Sequence, residues 1–99
     1  MFSIRVSEGV ASDLAPLRIF DRAAILDAIE RHLCREPDRP TRRRKRLDGL
    51  LPPWDAVPPI WELRVGEFRV FYDVDRDQMR VHVRAIRRKP PHLTTEQIL

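Results

Sequence analysis

A chain of 99 residues cannot hold two independent cores, so one domain over residues 1–99 is expected, with a stability margin narrow enough for a lasting partner to matter. A single cysteine, Cys34, and 34% charged residues exclude a disulfide-stapled secreted miniprotein; no run approaches the roughly 20 apolar residues of a membrane span, Met1 to Val10 lacks a signal-peptide stretch, and a cytoplasmic protein is expected. The net charge of +4 rests on 17 arginines and two lysines, and it is uneven: −1 over residues 1–41, +3 over 42–60 and +2 over 61–99.

Phe2, Ile4 and Val6 alternate with Ser3, Arg5 and Ser7, the period of a half-buried strand. Val10, Leu14 and Leu17 are spaced as on a short helix over Glu8–Leu17, with Ser12 and Asp13 facing out and Pro16 limiting its extension. A second helix is expected from an Asp21 N-cap, with Ala24, Ile25, Ala28, Ile29 and Leu33 on its buried stripe and Pro37 as its stop. The two helices then form a hairpin on one side of a sheet.

Residues 37–59 hold six of the nine prolines and the run Arg42 to Arg46, and read as a connection without regular structure. Three strands follow, Trp61–Val65, Phe68–Val74 and Met79–Ile86, joined by Gly66-Glu67 and by Asp75-Arg76-Asp77-Gln78. The tail from Thr94 makes a last helical turn or frays. The fold class is thus α+β, a strand and a two-helix hairpin packed on an antiparallel sheet of about four strands.

With a two-residue turn at Gly66-Glu67, Val65 faces Phe68, Leu63 faces Val70 and Trp61 faces Tyr72. With a four-residue second turn, Val74 faces Met79, Tyr72 faces Val81, Val70 faces Val83 and Phe68 faces Ala85, so one side is wholly apolar or aromatic. The other side carries a row of Arg64, Arg69 and Arg84, a second row of Glu62, Phe71 and His82, and Asp73 opposite Arg80. Opposed arginines repel, and a polyanion would relieve them; surface pairing with Glu62, Glu67 and Asp73 is the plainer account. The arginine bias suits bidentate phosphate recognition, although a GC-rich genome also produces it. The run Arg42, Arg43, Arg44, Lys45 and Arg46 suits RNA tracking through counterion release, or else a solvated loop. His32 and Cys34 have no further ligand at metal spacing, and no phosphate loop or serine nucleophile motif is present, so no metal or cofactor is expected. Trp54, among Leu50, Leu51, Val57 and Ile60, is expected to pack on its own domain more than on a base.

Trp61-Glu62-Leu63-Arg64-Val65-Gly66-Glu67-Phe68-Arg69-Val70-Phe71-Tyr72 resembles the signature hairpin of the RelE/ParE toxins, an L-R, a short turn, then an aromatic-R-V-x-Y strand. Lys45-Arg46-Leu47-Asp48-Gly49 and the basic end Ile86-Arg87-Arg88-Lys89 resemble further elements of that family, so the likeness spans nearly the whole chain. The resemblance implies a microbial ribonuclease-type fold and the toxin of a type II toxin-antitoxin pair. Its partners would be a cognate antitoxin, in a hetero-oligomer, and messenger RNA on the ribosome, cut without a metal by attack of a ribose 2′-hydroxyl on the adjacent phosphate. It assigns contact with the scissile phosphate to Arg69, and it matches Lys89, or Arg88 if the alignment shifts by one, to the family's catalytic basic residue after the last strand. Arg64, Arg84, Arg87, Arg43, Arg44, Lys45 and Arg46 are expected to bind RNA.

Where the family's ribonucleases have strand lysines this chain has Ile60 and Glu62, and in place of their C-terminal tyrosine it has Pro90, Pro91, His92 and Thr94. His82 and His92 are the substitutes able to move a proton near neutrality. The same departures keep two alternatives open, a ParE-like inhibitor of DNA gyrase that needs no acid or base, and a chain that keeps the fold without toxicity.

Overall fold

The computed structural model covers residues 1–99, and most of its elements follow the apolar periodicities. β1 (Ser3–Val6) leads into α1 (Glu8–Leu14) and α2 (Ile19–Leu33). Then come β2 (Arg44–Leu47), β3 (Ile60–Val65), β4 (Phe68–Asp75), β5 (Arg80–Arg88) and the short α3 (Thr95–Ile98). The five strands are ordered β1-β5-β4-β3-β2, with β1 parallel to β5 and every other pair antiparallel. The sheet is therefore mixed and one strand larger than the four-stranded antiparallel reading.

The additional strand is β2, inside the stretch expected to be irregular. Its basic sequence fits an edge, where charged side chains face water on at least one side and discourage further pairing. The backbone fixes it there, since Arg64 N–H donates to Arg43 O at 2.8 Å and Lys45 stands opposite Glu62. α2 begins at Ile19 rather than after Asp21, with Arg18 at the N-cap position and no side-chain cap bond. Asp21 instead lies in the first turn, where its charge complements the helix dipole. At the tail, Thr94 and Gln97 form the reciprocal capping box of α3.

Both long helices cover one face of the sheet. Ile25, Ile29 and Leu33 of α2 and Val10 of α1 meet Trp61, Leu63, Val70, Tyr72, Val81 and Val83 in the main core. Asp13 does not face water: its carboxylate accepts Ile86 N–H at 3.0 Å and Arg87 Nη1 at 2.9 Å, fastening α1 to the end of β5. The opposite face has a small core of its own, Ile60, Phe71 and Ala85, roofed by Leu47, Leu50, Trp54, Ile98 and Leu99. Trp54 packs on Phe71 with ring centroids 5.6 Å apart, as expected of a loop tryptophan among apolar neighbours.

Tyr72 is fully buried, and its hydroxyl donates to Pro37 O at 2.7 Å, which anchors the chain leaving α2 to the middle of the sheet. Burial raises the Tyr72 hydroxyl well above its ordinary pKa, so it remains a donor throughout the physiological range. Tyr72→Phe should cost about 1 to 2 kcal/mol, because the carbonyl of a buried proline loses its partner; a denaturant midpoint unchanged at constant m would contradict this.

The β3–β4 register is the one read from the two-residue turn: Trp61 opposite Tyr72, Leu63 opposite Val70 and Val65 opposite Phe68. Gly66 adopts φ 57° at the first turn position, a conformation that costs glycine nothing. The β4–β5 register differs from expectation. The turn lies one residue later, Arg76–Met79, with Gln78 N–H donating to Asp75 Oδ1 and Met79 at φ 53°. Asp75 therefore stands opposite Arg80, Val74 opposite Val81 and Tyr72 opposite Val83. A bulge follows: Phe71 pairs with Ala85, leaving Arg84 without a partner across the ladder. The bulge changes the alternation, so Ile86 joins the main core and Ala85 the small one.

Candidate nucleic-acid interface

On the face away from α1 and α2, at the end of the sheet near the Gly66 turn, lies a cleft of about 150 Å³ without a hydrophobic lining residue. Six of its eight lining residues are cations: Arg42, Arg43, Lys45, Arg64, Arg69 and Lys89. The other two are Glu62 and Thr95. The cations come from the basic run, the β3–β4 hairpin and the end of β5, brought together by the register. Arg43 and Lys45 arrive on the edge strand, Arg64 and Arg69 face each other across β3 and β4, and Lys89 follows β5, its N–H donating to Glu67 O at 2.6 Å.

Arg69 is the most fully engaged of these cations. Its Nη1 donates to Gly66 O at 3.0 Å and Phe68 O at 2.9 Å, its Nε lies 3.8 Å from Glu62 Oε1, and its side chain is only 12% exposed. Glu62 is buried and accepts from the Thr95 hydroxyl at 3.1 Å, so α3 reaches the cleft through one hydrogen bond. A carboxylate below several guanidinium groups offsets their repulsion, and the cleft still carries a strong excess of positive charge. That arrangement favours a phosphate or another polyvalent anion.

Five of the residues expected at a nucleic-acid site converge here: Arg43, Lys45, Arg64, Arg69 and Lys89. The others lie elsewhere. Arg84, at the bulge, is not in the row with Arg64 and Arg69; it pairs with the buried Asp73 at 2.7 and 3.3 Å, and Arg87 takes the place across from Arg69. The guanidinium of Arg87 is itself drawn to Asp13. Arg88 points to the helix face, 3.0 Å from Glu67 and over the Phe68 ring at 4.9 Å. Arg46 pairs with Asp48 at 2.8 Å, and Arg44 turns toward the end of α2. His92 is exposed on the tail and does not line the cleft.

His82 is not beside the arginine row. The register puts it opposite Asp73 and Arg5, in a larger cleft of about 650 Å³ at the β1 edge that it shares with Arg84 and Arg80. Four arginines and three aspartates line that cleft, so it lacks the excess charge of the first. Burial, then Arg84, hold His82 below the ordinary histidine pKa, and burial, Arg43 and Arg44 do the same for His32. Protonation is then harder in the folded than in the unfolded chain, so the stability is fully present above about pH 6.5 and is lost as pH falls through the depressed values. The thermal midpoint should drop from about pH 7 to about pH 5.5, and a His32→Gln, His82→Gln double variant should flatten that part of the profile. An equal slope in the double variant would assign the loss to other groups.

Glu62 and Thr95 were not among the expected site residues, and Arg42 was expected only as part of the basic run Arg42 to Arg46. A register signal existed for Glu62, which stands between Ile60 and Arg64 on the site-facing phase of β3, but its type departs from the lysines of the resembled family.

No protein-family model and no curated protein matches the chain. Solved structures do resemble it. A chain of the archaeal RelE-RelB complex from Pyrococcus horikoshii OT3 superposes with a TM-score of 0.69 at 19% identity, over 94% of this chain and 98% of that one. A chain of the toxin-antitoxin complex RelBE2 from Mycobacterium tuberculosis gives a TM-score of 0.70 at 23% identity, over 89% and 98%. Across nearly its whole length, then, the chain has the fold of RelE-like toxins.

Proposed function

We propose that this chain is the toxin of a type II toxin-antitoxin pair and that its basic cleft binds and cuts messenger RNA on the ribosome, repressing translation. One observation carries the reading: Arg69 and Lys89, two residues that the family resemblance makes catalytic candidates, come together with four more cations around a single buried carboxylate. Cleavage of this kind asks for charge placed on the developing negative oxygens and little other chemistry from the protein. Arg69 and Lys89 supply that charge at the scissile phosphate, and Arg64, Arg43, Lys45 and Arg42 hold the neighbouring phosphates.

Glu62 is the proton acceptor. It takes the proton of the 2′-hydroxyl as the 2′-oxygen bonds to phosphorus; the bond to the 5′-oxygen breaks, and that oxygen is protonated by the Lys89 ammonium or by water. The products are a 2′,3′-cyclic phosphate and a 5′-hydroxyl. Neither His82 nor His92 lines the cleft, which favours Glu62 over both.

The antitoxin is the proposed partner on the other side of the molecule. An apolar groove of about 580 Å³ runs between α1, α2 and β1, and it leaves Val6 54% and Leu26 50% exposed. Such a surface suits an amphipathic helix or extended segment.

Brief induction in cells followed by primer extension tests the activity: new 5′ ends inside translated messages are expected. Growth arrest without such ends, accompanied by loss of gyrase supercoiling, would overturn the ribonuclease reading in favour of a gyrase inhibitor.

A further inference from the structure

The strand that brings Arg43 and Lys45 to the cleft is a poor candidate for order on its own terms. Five consecutive cations, Arg42 to Arg46, repel one another, and runs of this kind tend to stay disordered. Alternation along the strand divides them. Lys45 stands opposite Glu62 on the cleft side, whereas Arg44 stands opposite Leu63 on the helix side.

There the Arg44 guanidinium meets the C-terminal end of α2. Its Nη1 donates to His32 O at 2.7 Å, Glu36 O at 2.8 Å and Arg35 O at 3.2 Å. These carbonyls lie in and just beyond the last turn of the helix, where the dipole is negative and backbone acceptors lack helical partners. The backbone of Arg44 is engaged as well, its N–H donating to Thr41 Oγ1 at 3.2 Å and its carbonyl accepting Thr41 N–H at 3.0 Å. With its Nη1 engaged on the helix side, Arg44 does not line the basic cleft.

We propose that Arg44 is a positioning residue: it clamps the edge strand to the end of α2, and so holds Arg43 and Lys45 at the cleft without touching RNA itself. The proposal rests on the reading of the cleft as an RNA site. Arginine suits the task because its guanidinium is more weakly hydrated than an ammonium, and so gives up less on leaving water for the carbonyls at the helix end. A direct phosphate contact has no such requirement, since lysine meets a phosphate as a point charge.

Two measurements on the full chain separate the possibilities. The first is hydrogen exchange without RNA. In Arg44→Ala the amide of Arg64, bonded to Arg43 O, and the amides of β2 should exchange faster while those at the β4–β5 centre keep their protection. Unchanged exchange in β2 would refute the clamp whatever the RNA does.

The second is the salt dependence of binding to a labelled short single-stranded RNA, whose log–log slope loses about 0.7 for each phosphate contact removed. Lys45→Ala should lose about 0.7, and Arg44→Ala about 1.4, because two contacts go with the strand. Arg44→Lys should behave as Arg44→Ala, and adding Arg44→Ala to an Arg43→Ala, Lys45→Ala double variant should change nothing further. An Arg44→Ala loss of about 0.7 that lysine restores and that adds to the double variant would make Arg44 a direct contact and overturn the proposal. No salt-dependent binding by the unmodified chain would instead remove the RNA reading, with the exchange result still deciding the clamp.

Discussion

Arg69→Ala should lower RNA cleavage about a hundredfold, on the order of 3 kcal/mol of transition-state stabilisation, as loss of one preorganised donor of positive charge does in other active sites. The effect on folding follows from the contacts of the side chain. Read as one of three exposed, mutually repelling arginines, Arg69 would be removable at no cost to stability. In the fold it is largely buried, with two turn carbonyls and Glu62 as neighbours. Truncation leaves those carbonyls short of a donor and Glu62 with Thr95 alone, so a loss of about 1 to 2 kcal/mol is expected. Adding Glu62→Gln tests the stability account alone: neutralising the carboxylate should recover part of the stability, measured by denaturant unfolding, while cleavage falls further because the proton acceptor is gone as well. Full cleavage by well-folded Arg69→Ala would rule out the phosphate role.

Asp73→Ala should cause the largest loss of stability of any single polar substitution, about 3 to 5 kcal/mol. Asp73 is buried and accepts Arg84 Nε at 2.7 Å, Arg84 Nη2 at 3.3 Å and Val57 N–H at 3.0 Å. Its removal strands a guanidinium that is only 13% exposed and frees the loop that roofs the small core. In a domain of this size each kcal/mol moves the thermal midpoint by roughly 4 to 8 °C, so a fall of at least about 12 °C is expected in calorimetry. A fall under about 4 °C would mean that water solvates Arg84 as well as the carboxylate did. Arg84→Met combined with Asp73→Leu should be far milder than Asp73→Ala, because both charges leave together.

These two residues also mark how far the sequence could be read. The β3–β4 hairpin was legible because a two-residue turn with glycine fixes the register, and apolar alternation on both strands agrees with it. The arginines of that hairpin, Arg64 and Arg69, were accordingly placed together. The third strand of the set was not legible to the same depth. Asp75 caps a turn that starts one residue later, and the alternation of β5 is interrupted at Arg84 by a bulge that the local composition does not announce. Arg84 therefore left the row expected with Arg64 and Arg69, and His82 the row expected with Glu62 and Phe71, while Lys89 reached the cleft.

The edge strand β2 was missed for another reason. Arg44–Leu47 has neither β-branched residues nor alternation, and its order depends on partners distant in sequence: the end of α2 and the outer edge of β3. Periodicity cannot report such contacts. The family resemblance had pointed to Arg69 and to Lys89, or Arg88 in its place, and the fold puts Arg69 and Lys89 at the cleft while Arg88 lies on the helix side.

The position of β2 also bears on how the molecule avoids its own kind. Every open sheet has two edges, and unpaired backbone groups along an edge can template the addition of another chain. Here one edge carries the most positively charged segment of the sequence, so two copies approaching through it meet like charges at close range. The same side chains that would draw in a polyanion thus act as gatekeepers against aggregation. Apolar replacements at Lys45 and Arg46 would remove that protection, and the one at Lys45 would also take a cation from the basic cleft.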